Sequence, residues 1–141
     1  MPRRVVRRLG LMLGRRGAIL LSYGTVWALY GYGQLISPPA AQPGLTLALQ
    51  MLSITVWGWL WLVTGVLAVV SAFVPQGVDW FGFVALVLIV LPWTLSYLVS
   101  WLQGDFSRGW VAAAVWGAIA VPVIVVAGWR EAPRPKRVEG I

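Results

Sequence analysis

Residues 80–102 read WFGFVALVLIVLPWTLSYLVSWL, with no Asp, Glu, Lys or Arg among them. An α-helix rises about 1.5 Å per residue and the hydrocarbon core of a bilayer is about 30 Å thick, so roughly 20 apolar residues cross it. This stretch is long enough and apolar enough to do so. Moving outward from it, three more stretches have the same character: residues 17–36, residues 51–74, with a helix that can begin near Leu45, and residues 109–129. None carries a charged residue between its ends. The expected fold class is an all-α integral membrane protein, an antiparallel bundle of four transmembrane helices.

Composition leads to the same class. The chain has 141 residues, of which 60% are apolar and 11% charged. Soluble domains carry about 25% charged residues, and a chain this short cannot hide so much apolar surface in its own core. The breaks between spans are well marked. Residues 37–44 (SPPAAQPG) cannot continue a helix. Residues 75–77 (PQG) form a tight turn, with Asp79 placed to cap the next helix. Residues 103–108 (QGDFSR) separate the last two spans, and such short connections make sequence neighbours antiparallel neighbours.

Orientation follows from the Lys/Arg distribution. Arg3, Arg4, Arg7, Arg8, Arg15 and Arg16 precede the first span, and Arg130, Arg134, Lys136 and Arg137 follow the last. Between the spans only Arg108 is basic. An even number of spans puts both termini on one side, and both basic ends are the termini, so both are expected in the cytoplasm. The chain is expected to cross its membrane several times. A basic start before an apolar run can also be a signal peptide, but this run exceeds the usual span of about 7–15 residues. The chain divides into a basic segment (1–16), a four-helix domain (17–129) and a basic tail (130–141) whose prolines and mixed charge predict disorder.

Residues 3–16 are amphipathic if helical. Arg3, Arg4, Arg7, Arg8 and Arg15 cluster on one face, and Arg16 breaks the pattern. Together the six arginines are candidates for lipid-headgroup contact in an anionic bilayer. The net charge of +7 is assigned to lipid rather than nucleic acid.

Small residues mark the candidate packing seams. Gly10, Gly17, Gly24 and Gly31 recur at sevens on the first helix, with Gly14 and Ala28 on the same stripe. Gly58, Gly65 and Ala72 do so on the second, and Ala113, Gly117 and Ala120 line the fourth. In lipid, helices associate by close packing, and small residues let backbones approach. Two readings stay open: packing within one bundle, or a spare seam that drives self-association. Tyr23, Trp27 and Tyr30 form a second stripe on the first helix. Trp80, Trp101, Trp110 and Trp129 fall at span ends, where aromatic belts form. Trp57, Trp59 and Trp61 lie toward the outer half of the second span, whereas Trp27, Trp93 and Trp116 are deeper and need N–H acceptors. Pro92 and Pro122 each remove a helical hydrogen bond and predict kinks. Thr94 or Ser96 could serve the freed carbonyls.

Catalysis has little to work with. His and Cys are absent, only four acidic residues exist, and no nucleotide-, metal- or triad-type motif is present. No enzyme and no cofactor are expected. Coupled carriers keep ionisable groups inside the bilayer, and the spans have none, which disfavours a transporter or a selective channel.

Residues 57–65 (WGWLWLVTG), 107–116 (SRGWVAAAVW) and 126–131 (VAGWRE) resemble stretches of small membrane proteins encoded by phages and prophages of actinobacteria. The resemblance covers most of the chain in architecture, through motifs of low specificity. It implies a holin-like role: self-association in the cytoplasmic membrane as a homo-oligomer, followed by permeabilisation. The alternatives are an accessory subunit that binds another membrane protein and a small transporter or channel.

Overall fold

A computed structural model describes the backbone of residues 2–130 and the side chains of residues 13–130. The described chain forms five helices: α1 (Pro2–Ile36), α2 (Thr46–Met51), α3 (Ile54–Ser71), α4 (Trp80–Leu102) and α5 (Gly109–Ala127). The expectations for residues 131–141, for the side chains of Arg3, Arg4, Arg7 and Arg8, and for the surroundings of Gly10 lie outside the described residues.

By length and composition, α3, α4 and α5 can each cross a membrane. Their surfaces explain why. Val63, Val70, Leu88, Leu95, Val121 and Ile124 are exposed on the outside of the bundle. Lipid is as apolar as a protein core, so aliphatic side chains can face outward without penalty. Two hydroxyls on these helices are hidden locally. Thr64 and Thr94 donate to the carbonyls of Leu60 and Val90, one turn back, as is needed where no water is available.

Helix α1 is interrupted. Gly14 has φ 65° and ψ −174°, a region that essentially only glycine enters. The break resets the helical phase, and this corrects two expectations. Gly14 is a break, not part of the seam, which holds from Gly17 onward. Arg15 and Arg16 belong to the helix after the break and cannot share a continuous face with the arginines before it.

The span over residues 80–102 is found to the residue. The second span is shorter than expected. Residues 46–51 are helical but form the separate α2, because Leu52 is extended and Ser53 starts a new helix, its Oγ accepting the Val56 N–H at 3.4 Å. At the far end α3 stops at Ser71. The turn that follows has Gly77 at φ 96° and a Val78 N–H donated to the Pro75 carbonyl at 3.1 Å, the pattern of a type II turn.

Helices α1 and α3 make the most intimate pair. A Cβ added at Gly17 would stand 3.0 Å from the Ala72 carbonyl oxygen, one at Gly24 would stand 2.7 Å from that of Gly65, and one at Gly31 would stand 2.6 Å from that of Gly58. Each step of seven forward on α1 is a step of seven back on α3, so the helices run antiparallel in strict heptad register. Ala28 lies on the same seam, against Gly65. The two series of small residues are therefore partners within one chain.

Helix α5 packs mainly on α4, with Gly109 against Tyr97 and Trp101, and buries Gly109, Ala113, Ala120, Val123 and Val126. Gly117 does not pack within the bundle: a Cβ there would meet nothing within 4 Å, so of the two readings of the seam only the one between copies stays open to it. Pro92 and Pro122 sit inside α4 and α5, which continue through them.

Candidate functional site

Two clusters stand out in the bundle. The first lies at mid-depth. Trp27 and Tyr30 of α1, Trp61 of α3, Trp93 of α4 and Trp116 of α5 converge there. Trp61, fully buried, is the hub. Its ring centroid lies 4.8 Å from Tyr30, 5.4 Å from Trp27, 5.5 Å from Trp93 and 5.5 Å from Trp116. The interplanar angles of 50–75° are the edge-on and tilted arrangements that ring quadrupoles favour. Trp57 extends the cluster outward, 4.9 Å from Trp93.

Most of these polar edges find partners. Trp27 Nε1 donates to the Leu86 carbonyl at 3.2 Å, Trp93 Nε1 to the Tyr30 hydroxyl at 3.2 Å, and Trp57 Nε1 to the Ala48 carbonyl at 2.8 Å. Trp61 Nε1 is buried without an acceptor, which costs about 1–3 kcal/mol. Of the three tryptophans placed toward the outer half of the second span, Trp57 and Trp61 are core residues and Trp59 is exposed. The stripe of Tyr23, Trp27 and Tyr30 faces this cluster rather than lipid. Large rings from four helices fill the middle of the bundle.

The second cluster closes one end. Arg16 is 7% exposed and Asp79 is 3% exposed. Arg16 Nε donates to Asp79 Oδ2 at 2.9 Å and Nη2 to Oδ1 at 2.9 Å, a two-pronged pair. Nη1 reaches the last carbonyls of α5 and the residues after it: Val126 at 3.1 Å, Ala127 at 2.7 Å and Trp129 at 2.9 Å. Phe83 packs its ring under the guanidinium, 4.6 Å from centroid to Cζ. One side chain thus ties α1 to the α3–α4 turn and to the end of α5. It also places a positive charge on the negative end of the α5 dipole.

This corrects two expectations. Arg16 is turned inward onto Asp79 and is not a headgroup contact. Asp79 stands at the N-cap of α4 but makes no capping bond from its side chain. Its carboxylate takes Arg16 and the Gly77 N–H at 3.2 Å instead. Arg15 is exposed, with its Cζ 5.9 Å from the Trp129 ring centroid. The residue that breaks the amphipathic pattern is the one that folds inward, and that break was its signal in the sequence.

The opposite end is closed without charge. The segment before α3 folds back over the bundle, burying Leu45 and Ala48. Ser96 Oγ donates to the Gly44 carbonyl at 3.1 Å and accepts the Ala48 N–H at 3.2 Å. Gly44, at φ 86°, fits beneath Tyr97 and Phe106. Thr94 and Ser96 are therefore committed elsewhere and do not serve the carbonyl freed by Pro92, which is that of Leu88.

No family model matches the chain, and no curated protein or solved structure is similar to it.

Proposed function

We propose that this chain is a four-span protein of a bacterial cytoplasmic membrane, with both chain termini on the cytoplasmic side, and that it works by lateral association in the bilayer. Three spans are the helices already apolar enough to cross. The fourth is α1 from Gly17. Its tyrosines, its glycines and Gln34 lower its hydropathy, but the heptad contacts with α3 run its whole length, so it traverses whatever α3 traverses. The contact of Arg16 with Val126, Ala127 and Trp129 brings the start of the first span beside the end of the last. The arginines cluster at that end of the sequence, which supports a cytoplasmic location.

The observation that carries the associative reading is the aromatic centre. A solute path through one copy would need polar lining at mid-depth, and that level is filled by Trp27, Trp61, Trp93 and Trp116. What remains for function is the outer apolar surface. An accessory subunit that packs against another membrane protein fits this geometry best, because the glycines of α1 and α3 are consumed within the chain. The holin-like reading rests on the resemblance and on one further observation. Gly33 and Gly117 have open space around them, so self-association would use the outer faces of α1 and α5, not the seam of Gly17, Gly24 and Gly31.

Two experiments test this. Because the chain has no cysteine, single cysteines at Gln42, Gln76 and Asp105 can be labelled in intact cells with a membrane-impermeant thiol reagent. Labelling of Gln42→Cys and Asp105→Cys but not Gln76→Cys is the expected result, and the reverse pattern inverts the topology. Co-expression with a cytoplasmic endolysin separates the two associative roles. Sudden collapse of membrane potential followed by lysis supports the holin-like role, and steady growth with the protein in the membrane supports the accessory role.

A further inference from the structure

We propose that the rim beside Arg16 is a binding site for a phosphate group carried by an anionic lipid headgroup. The inference rests on the membrane reading above, and it deepens the general expectation of headgroup contact into one defined place. An open cavity of about 480 Å³ lies between α1, the α3–α4 turn and the end of α5, lined by Arg16, Gln76, Gly77, Ala127, Trp129 and Arg130. Its walls are divided between polar and apolar atoms, as a headgroup with its glycerol and first methylenes requires.

The charges around it do not balance. Arg16 is matched by Asp79. Arg130 in the wall and Arg15 over the Trp129 ring have no carboxylate partner among the described residues. Glu131, next in sequence, lies outside them. Arg130 thus lines the cavity itself, and Arg15 stands beside its Trp129 wall. Guanidinium recognises phosphate through paired N–H donors, and basic residues at a cytoplasmic interface attract anionic lipid. Asp79 has a second effect: by holding Arg16 inward it fixes the floor of the cavity, leaving Arg15 and Arg130 as the groups that meet the ligand.

The test is native mass spectrometry of the full chain in detergent, titrated with phosphatidylglycerol, phosphatidylcholine or inorganic phosphate. The wild type is expected to hold phosphatidylglycerol more tightly than phosphatidylcholine. The double variant Arg15→Gln/Arg130→Gln should lose roughly tenfold of that preference, with its melting temperature unchanged because both side chains are exposed. Equal binding of the two lipids by wild type, or an undiminished preference in the variant, overturns the site. Displacement of phosphatidylglycerol by inorganic phosphate of similar affinity would overturn the lipid assignment and give the cavity to free phosphate. The measurement does not depend on topology, so its failure is distinct from failure of the cysteine-labelling experiment.

Discussion

The two ends of the bundle solve one problem by different means. At each end, helix termini leave carbonyls and N–H groups that must be satisfied near or within lipid. The Arg16 end uses a buried charge pair that reaches three segments at once. The Ser96 end uses a folded-back loop, one hydroxyl and backbone groups. A buried ion pair is costly to break, because removing one partner strands the other, whereas a neutral hydroxyl lost from a network leaves only modest penalties. The charged end should therefore be brittle and the neutral end forgiving.

The sharpest way to break that contrast is Asp79→Ala. It should destabilise the bundle by about 3–5 kcal/mol, measured by denaturant titration in bicelles. Replacing both partners, Arg16→Met with Asp79→Leu, should recover a large part of the loss, since it leaves no stranded charge. Recovery would also show that the pair serves specificity of docking more than net stability. A single-site cost below about 1 kcal/mol, the range of surface pairs, would mean that water reaches the pair.

Next in size is the glycine seam, common to both ends. Gly24→Leu should cost about 1–3 kcal/mol or more, because even its Cβ would collide with the Gly65 carbonyl. It should do so in the monomer, with no dependence on protein concentration. A loss that appears only as reduced crosslinking between copies would return the seam to an intermolecular role. At the neutral end, Ser96→Ala should cost about 1–2 kcal/mol, freeing the Gly44 carbonyl and the Ala48 N–H. The smallest effect is expected at Gly117→Ala, within about 0.5 kcal/mol of wild type and in the stabilising direction, since alanine favours the helix and meets no neighbour.

Much of the bundle was legible in the sequence because lipid imposes a simple rule. The span over residues 80–102 has sharp edges: Asp79 before it and Gln103-Gly104-Asp105 after it. The matching sevens of Gly17, Gly24 and Gly31 with Gly58, Gly65 and Ala72 predicted close approach, and only the choice of partner needed coordinates. The start of α3 was hidden, because Leu45–Met51 is as apolar as the helix beyond it and Leu52-Ser53 carries no proline or glycine to mark the break. The two end sites were hidden for a different reason. Arg16 and Asp79 are 63 residues apart; the break in the amphipathic pattern sets Arg16 apart, but nothing local names its partner. Gly82 and Gly109 make close contacts with Ser71 and Trp101, but Gly82 is the one glycine of α4 and Gly109 has no glycine seven residues on, so neither leaves a period to read.

The heptad register of α1 and α3 also bears on the length of the molecule. A single residue inserted in either helix would turn every later position by about 100° and take the glycines out of contact. Seven residues removed from the middle of both would leave every remaining pair matched while shortening the two helices by about 10 Å. The α1–α3 unit therefore has discrete sizes and no intermediate ones, so its fit to membranes of different thickness can change only in steps of whole heptads.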